Sequence, residues 1–135
     1  MPTSITILIT LLIIAVLVLV HEWGHFIAAR KIGIPVWEFS IGFGPRLLGR
    51  KKDGIEYSIR LIPLGGYVRM AGEEPGDGNV PDGFNNRKPW EKMAVSFAGP
   101  FMNFVLALLL FVYVYSVVGV PQASPEPLIG QVVAG

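Results

Sequence analysis

Residues 5–29, ITILITLLIIAVLVLVHEWGHFIAA, form an almost unbroken apolar run that carries His21-Glu22-Trp23-Gly24-His25 near its end. Treated as one helix, the run is about 37 Å long, enough to cross a hydrocarbon core of about 30 Å with some tilt. Thirteen Ile, Leu and Val residues lie between Ile5 and Val20, and only Thr6 and Thr10 break the pattern of Ile, Leu, Val and Ala. On an insertion scale they favour the membrane by about 5 kcal/mol in total, whereas one acidic group at a helix centre costs about 2.5–3.5 kcal/mol and less near an end. Insertion therefore survives Glu22. The run stops at Arg30-Lys31, and a second apolar run extends from Met93 to Val118.

A cleaved signal peptide has a positive n-region and a small-residue cleavage site. Met1-Pro2-Thr3-Ser4 has no side-chain positive charge and His21-Glu22-Trp23 is a poor cleavage site, so the segment is expected to stay as a permanent anchor. The chain holds no cysteine, which excludes a disulfide framework, a Cys-based zinc finger and a Cys nucleophile. No repeat or low-complexity tract is present, and no nucleic-acid partner is expected.

On a helix, residues four apart share a face, so His21 and His25 can present imidazole nitrogens to one ion. A catalytic Zn²⁺ usually has three protein ligands and a water. Glu22 adjoins the first ligand, placed to take a proton from that water as general base once the metal has lowered its pKa. In the alternative, one His caps or packs and the other is incidental. Against it, these are the only two histidines and both fall in the motif with its Glu.

His21, Gly24, His25 and Ala28 form an i, i+3, i+4, i+7 stripe, whose small residues allow another helix to approach. Ser96, Gly99, Asn103 and Ala107 form a matching small or polar stripe in the second run, where Pro100 is expected to kink the helix near Ser96. Helix packing alone accounts for Ser96, Gly99 and Ala107. Asn103 asks for more, because an amide deep in a membrane faces protein, where it can hydrogen-bond a substrate backbone or a loop.

All eleven Lys and Arg residues fall between Arg30 and Lys92. By the positive-inside rule the connecting loop is cytoplasmic and both termini lie on the far side. His25 then lies about 7 Å and His21 about 13 Å of helix rise from Arg30, within the cytoplasmic leaflet. In the loop, Ile55–Leu61 alternates apolar and polar, Asp53-Gly54 signals a tight turn, and Phe39–Leu48 supplies a partner strand. Gly42, Gly44, Gly65 and Gly66 mark bends. The pattern fits a β-hairpin dipping towards the bilayer, whose edge could take an extended peptide by strand addition, or an ordinary cytoplasmic hairpin. Glu73 to Asn86 reads as a mobile loop.

The HExxH at 21–25, Gly42-Phe43-Gly44-Pro45, Pro-Leu-Gly-Gly-Tyr-Val at 63–68 and Ala-Gly-Pro-Phe-Met-Asn at 98–103 together resemble the bacterial site-2-type intramembrane zinc proteases of peptidase family M50, of the regulator of sigma-E protease type. The resemblance covers nearly the whole chain. It implies a zinc metalloendopeptidase of regulated intramembrane proteolysis, cutting the transmembrane segment of single-span substrates such as anti-sigma factors in the bacterial inner membrane. By motif position His21 and His25 would be zinc ligands and Glu22 the catalytic base. Gly99 and Asn103 would belong to a helix lining the substrate path, and the region between the helices would include a membrane-associated β-hairpin.

The family draws a third ligand from the aspartate of a Leu-Asp-Gly motif on a later helix. No Leu-Asp-Gly occurs here and no acidic residue lies in the second apolar run. The expected fold is an α-helical integral membrane protein: transmembrane helix 1 over residues 1–31, a cytoplasmic loop with the hairpin over 32–89, and transmembrane helix 2 over 90–119. An extracytoplasmic tail over 120–135 resembles the start of a PDZ-like domain. The chain reads as the N-terminal part of a protease whose missing C-terminal portion supplies the aspartate, inactive by itself. The alternatives are a non-catalytic truncated or split subunit completed by another polypeptide, and a metal-binding or transport protein with a fortuitous motif.

Overall fold

A long helix, α1, runs over Thr3–Ile32, as the uninterrupted apolar sequence predicts. It ends where Gly33 enters the left-handed region (φ 94°), with the N–H groups of Gly33 and Ile34 both returning to the Ala29 carbonyl. Arg30 and Lys31 place positive charge on the last turn, where the helix dipole favours it. Arg87 donates to the carbonyls of Ile32 (3.3 Å) and Gly33 (2.6 Å), tying the end of α1 to the approach of the second helix. In this computed structural model, which describes residues 1–122, α1 is followed by strands β1 (Val36–Lys52) and β2 (Ile55–Met70) and by helix α2 (Pro89–Val117). Most of the expected tail, residues 123–135, lies outside the described residues.

Both helices are long and apolar enough to cross a membrane by length and composition. Their outer faces carry Leu8, Leu12, Phe104 and Phe111, between 60% and 73% exposed. Exposed large apolar side chains recur along both helices. Pro100 sits inside α2 without ending it.

The hairpin turns at Asp53-Gly54, both residues having positive φ (52° and 78°), the geometry that matches the twist of paired strands. Each strand also folds back on itself. Glu38–Ile41 pairs antiparallel with Gly66–Arg69, and the same four residues face Glu56–Ile59 on their other side. In that second pairing both numbers rise together (Glu38↔Glu56, Phe39↔Tyr57, Ser40↔Ser58, Ile41↔Ile59), the mark of a parallel neighbour. The sheet therefore presents four ranks in the order 66–70, 36–41, 55–60, 46–52. Reversal near Gly42 requires a residue without a side chain: φ is +85° and a Cβ would stand 2.6 Å from the Ile62 carbonyl oxygen.

The core lies between this sheet and the C-terminal half of α1. Phe26 of α1 meets Phe39 edge-on (centroids 5.3 Å apart), and Tyr57 closes the group at 6.2 Å from Phe26. Such aromatic pairs add about 0.5–1.5 kcal/mol each beyond their burial. The segment expected as a mobile loop, Glu73 to Asn86, contains two single 3₁₀ turns, Pro75–Asp77 and Phe84–Asn86. Arg69 donates to Asp77 (2.8 Å), and the Asn86 amide donates to Asn79 and to the Val80 carbonyl, supplying the local bonds that shape them.

One half-buried carboxylate joins three ranks of the sheet. Glu38 Oε1 accepts from Arg60 (2.7 Å), Ser58 (2.9 Å) and Tyr67 (2.9 Å). Burial alone would push the Glu38 carboxyl up, but these three donors and the Arg60 charge outweigh it and hold it below the usual carboxylate range. A depressed carboxyl stabilises the fold fully above its unfolded pKa, and that stabilisation is lost as pH falls through the folded value. Amide hydrogen exchange in the sheet, corrected for its intrinsic pH dependence, should therefore quicken on acidification below about pH 4.5. Glu38→Gln should already show faster exchange at pH 7 and little further change in acid. Equal protection in both proteins at both pH values would refute the network's role.

Candidate metal centre

His21 and His25 lie one turn apart on α1, and their rings meet edge-on with the two Nε2 atoms 3.1 Å apart. The ring of His25 is fixed from behind, because its Nδ1–H donates to the Val95 carbonyl of α2 at 2.7 Å. That bond assigns the tautomer: a neutral His25 then carries its lone pair on Nε2, pointing at His21. On the other side of the pair, Asn103 of α2 lies with its Nδ2 at 3.4 Å from His21 Nδ1. The Asn103 Oδ1 is buried without a hydrogen-bond partner among the described residues.

Contact between the helices is close enough to forbid side chains at two places. A Cβ on Gly24 would stand 2.3 Å from the Ala98 carbonyl oxygen. A Cβ on Gly99 would stand 2.5 Å from His25 Nε2 and 2.8 Å from His21 Nε2. Both glycines belong to the small-residue stripes of the sequence, and each meets the opposite helix. Ser96 lines a cleft with Glu22 and His25, whereas Ala107 lies towards the far end of α2.

Glu22 opens onto two clefts. One, of about 280 Å³, is lined by Glu22, His25, Tyr67, Val68, Val95 and Ser96 among others. The second, of about 390 Å³, brings His21, Glu22 and Asn103 together with Phe43, Leu64, Gly65 and Gly66, where the hairpin doubles back. Gly66–Met70, the outer rank of the sheet, thus borders the carboxylate and the imidazoles. Leu17 and Val18 close the same cleft, so the hairpin reaches about 22 Å of helix rise back along α1 from Ile32.

The donor set suits a zinc ion. Two imidazole nitrogens each about 2.0–2.1 Å from a tetrahedral ion lie about 3.3 Å apart, close to the observed 3.1 Å. One of the two is already held by a backbone carbonyl in the tautomer that leaves its inner nitrogen free, the usual outer-shell arrangement of a ligating histidine. Among the described residues no third His, Cys, Asp or Glu joins them in a cluster.

Gly99 and Asn103, expected on a substrate path, thus stand directly against the histidine pair. The Val95 carbonyl had no sequence signal of its own, since a backbone group is carried by every residue. Its only trace is the four-residue spacing Val95–Gly99–Asn103, one face of α2.

Residues 9–133 match the family model of peptidase family M50. The chain is 41% identical over 128 residues to a candidate zinc metalloprotease of Clostridium acetobutylicum, covering 95% of this chain and 36% of that protein. It is 37% identical over 147 residues to the metalloprotease MmpA of Caulobacter vibrioides, covering 93% of this chain and 36% of that protein. A candidate zinc metalloprotease of Vibrio cholerae is 42% identical over 128 residues, covering 88% of this chain and 26% of its own length. The chain spans about a third or less of these curated relatives. With its HExxH helix, its paired imidazoles and this match along nearly all its length, the chain belongs to peptidase family M50.

Proposed function

We propose that this chain carries the metal-binding and proton-transferring part of a zinc endopeptidase that cuts the transmembrane segments of single-span proteins, anti-sigma factors among them. The observation that carries the reading is the convergence of His21 Nε2 and His25 Nε2 beside Glu22, on a helix whose outer face is apolar. His21 and His25 hold the ion, and a third ligand, an aspartate, comes from a segment beyond those described. The absence of a third ligating side chain near the pair among the described residues, and the greater length of the relatives, support that assignment. Zinc, when bound, supplies Lewis acidity, making water nucleophilic near neutral pH and polarising a carbonyl.

The chain's own residues do the rest. Glu22 takes a proton from the attacking water and delivers it to the departing amide nitrogen, acting as base and then acid. The outer rank Gly66–Met70, which lines both clefts beside Glu22, offers backbone groups to an unwound substrate segment. Phe43 and Leu64 keep bulk water from one flank. Both helices span the bilayer of the bacterial inner membrane, with the basic loop cytoplasmic and the hairpin membrane-associated, as the confinement of every Lys and Arg to Arg30–Lys92 supports.

The test is co-expression of this chain, together with the segment that completes the site, with a single-span reporter tagged at both ends. A product cut within the span should appear, vanish on treatment with a membrane-permeant zinc chelator, and return when zinc is restored. Chelator-insensitive cleavage would refute the zinc mechanism. A split subunit that never completes a site would give no product under any of these conditions.

A further inference from the structure

We propose that α2 selects the tautomers of both zinc histidines, and that Asn103 is the positioning residue for His21 through an amide that turns over when metal binds. The inference rests on the zinc reading above and deepens it. Val95, Gly99 and Asn103 lie four residues apart on one face of α2, and that face meets His21 and His25. Val95 holds His25, Gly99 leaves room for the two rings, and Asn103 addresses the outer nitrogen of His21.

Without metal, each proton in the row has one place. The His25 Nδ1–H donates to the Val95 carbonyl at 2.7 Å, so His25 Nε2 is an acceptor. The 3.1 Å approach of the two Nε2 atoms then requires His21 Nε2–H as donor. His21 Nδ1 is left as an acceptor, and it is met by the Asn103 Nδ2–H group at 3.4 Å. The row is consistent throughout and leaves the buried Asn103 Oδ1 without a partner among the described residues.

Holding zinc changes a single requirement. His25 already offers a free Nε2, but His21 Nε2 must surrender its proton, and a neutral ring then carries it on Nδ1. An Asn103 Nδ2–H group facing an Nδ1–H group sets two donors against each other. Turning the amide about its last bond brings Oδ1 to that position, where it accepts from His21 Nδ1–H. The two ends of an amide have nearly the same shape, so the turn needs no repacking. The orphaned oxygen is thereby the partner that the metal-bound tautomer lacks.

Zinc affinity measured by competition with a chromophoric chelator, on the chain together with the segment that completes the site, in detergent micelles, separates the outcomes. Asn103→Leu keeps the volume and removes the acceptor, and should weaken zinc by 10–100-fold. Asn103→Asp keeps an acceptor at the same place and should bind within about threefold of wild type or tighter. Residue-specific ¹⁵N NMR should find wild-type His21 protonated on Nε2 without zinc and on Nδ1 with it. Full affinity in Asn103→Leu, equal losses in the Leu and Asp variants, or Nδ1 protonation in both states would overturn the proposal while leaving the histidine ligands standing. A wild type that takes no zinc would instead sink the ligand assignment itself, and this inference with it.

Discussion

Under the proposed function, Glu22→Gln is expected to lower cleavage by at least about 10²-fold without loss of zinc. A positioned general base contributes about 10²–10⁴-fold to such a reaction, and glutamine has the same shape but no basic oxygen at neutral pH. Glu22 opens onto both clefts beside the histidines, and Gly66 of the sheet lies against it, where an added Cβ would touch Glu22 Cγ at 3.7 Å. Cleavage of the single-span reporter should therefore fall by at least about 10²-fold, with metal content unchanged. Undiminished cleavage would remove Glu22 from proton transfer, and loss of zinc in this variant would make it a ligand instead.

The second large effect is expected at Gly99. Replacing it with valine inserts carbon within 2.5–2.8 Å of both Nε2 atoms, the two nitrogens that must converge on the ion. Relief by rotating the rings breaks the bond from His25 to Val95, and relief by moving α2 breaks its contact with α1. Overpacking of this kind costs about 1–3 kcal/mol. Its greater consequence is for metal: zinc affinity should fall by at least about tenfold, because ring orientation and outer-shell support are lost together. Far-ultraviolet circular dichroism should show the helix content retained. Gly24→Ala is the control for separation of the helices alone, since its Cβ meets the Ala98 carbonyl oxygen rather than a histidine. Normal zinc binding in Gly99→Val would mean that the rings do not sit where they are placed here.

Sequence and structure agree where a local rule suffices. The i, i+4 spacing of the HExxH brings His21 and His25 onto one face, the Asp53-Gly54 turn forms as composition demands, and the Gly24 and Gly99 stripes do meet a neighbouring helix. The strands are longer than alternation suggests. β2 continues from Leu61 through Pro63, Gly65 and Gly66 to Met70, because those residues bend the strand while its ladder partners persist on Phe43 and Ile41. The double pairing of Glu38–Ile41 depends on contacts between residues 18 apart and between residues 25–31 apart, which no short pattern encodes. The Val95 carbonyl is invisible to residue type altogether. The sequence left Asn103 open between a substrate backbone and a loop, and the structure sets its Nδ2 3.4 Å from His21 Nδ1.

The central claim is that His21 and His25 ligate one zinc ion. X-ray absorption at the zinc edge, on the zinc-loaded chain together with the segment that completes the site and on the same assembly with His25→Ala, tests it most directly. Two imidazole nitrogens at about 2.0–2.1 Å are expected in the wild type and one in the variant, with weaker retention of the metal. An imidazole shell unchanged by His25→Ala, or zinc bound without any imidazole, would contradict it.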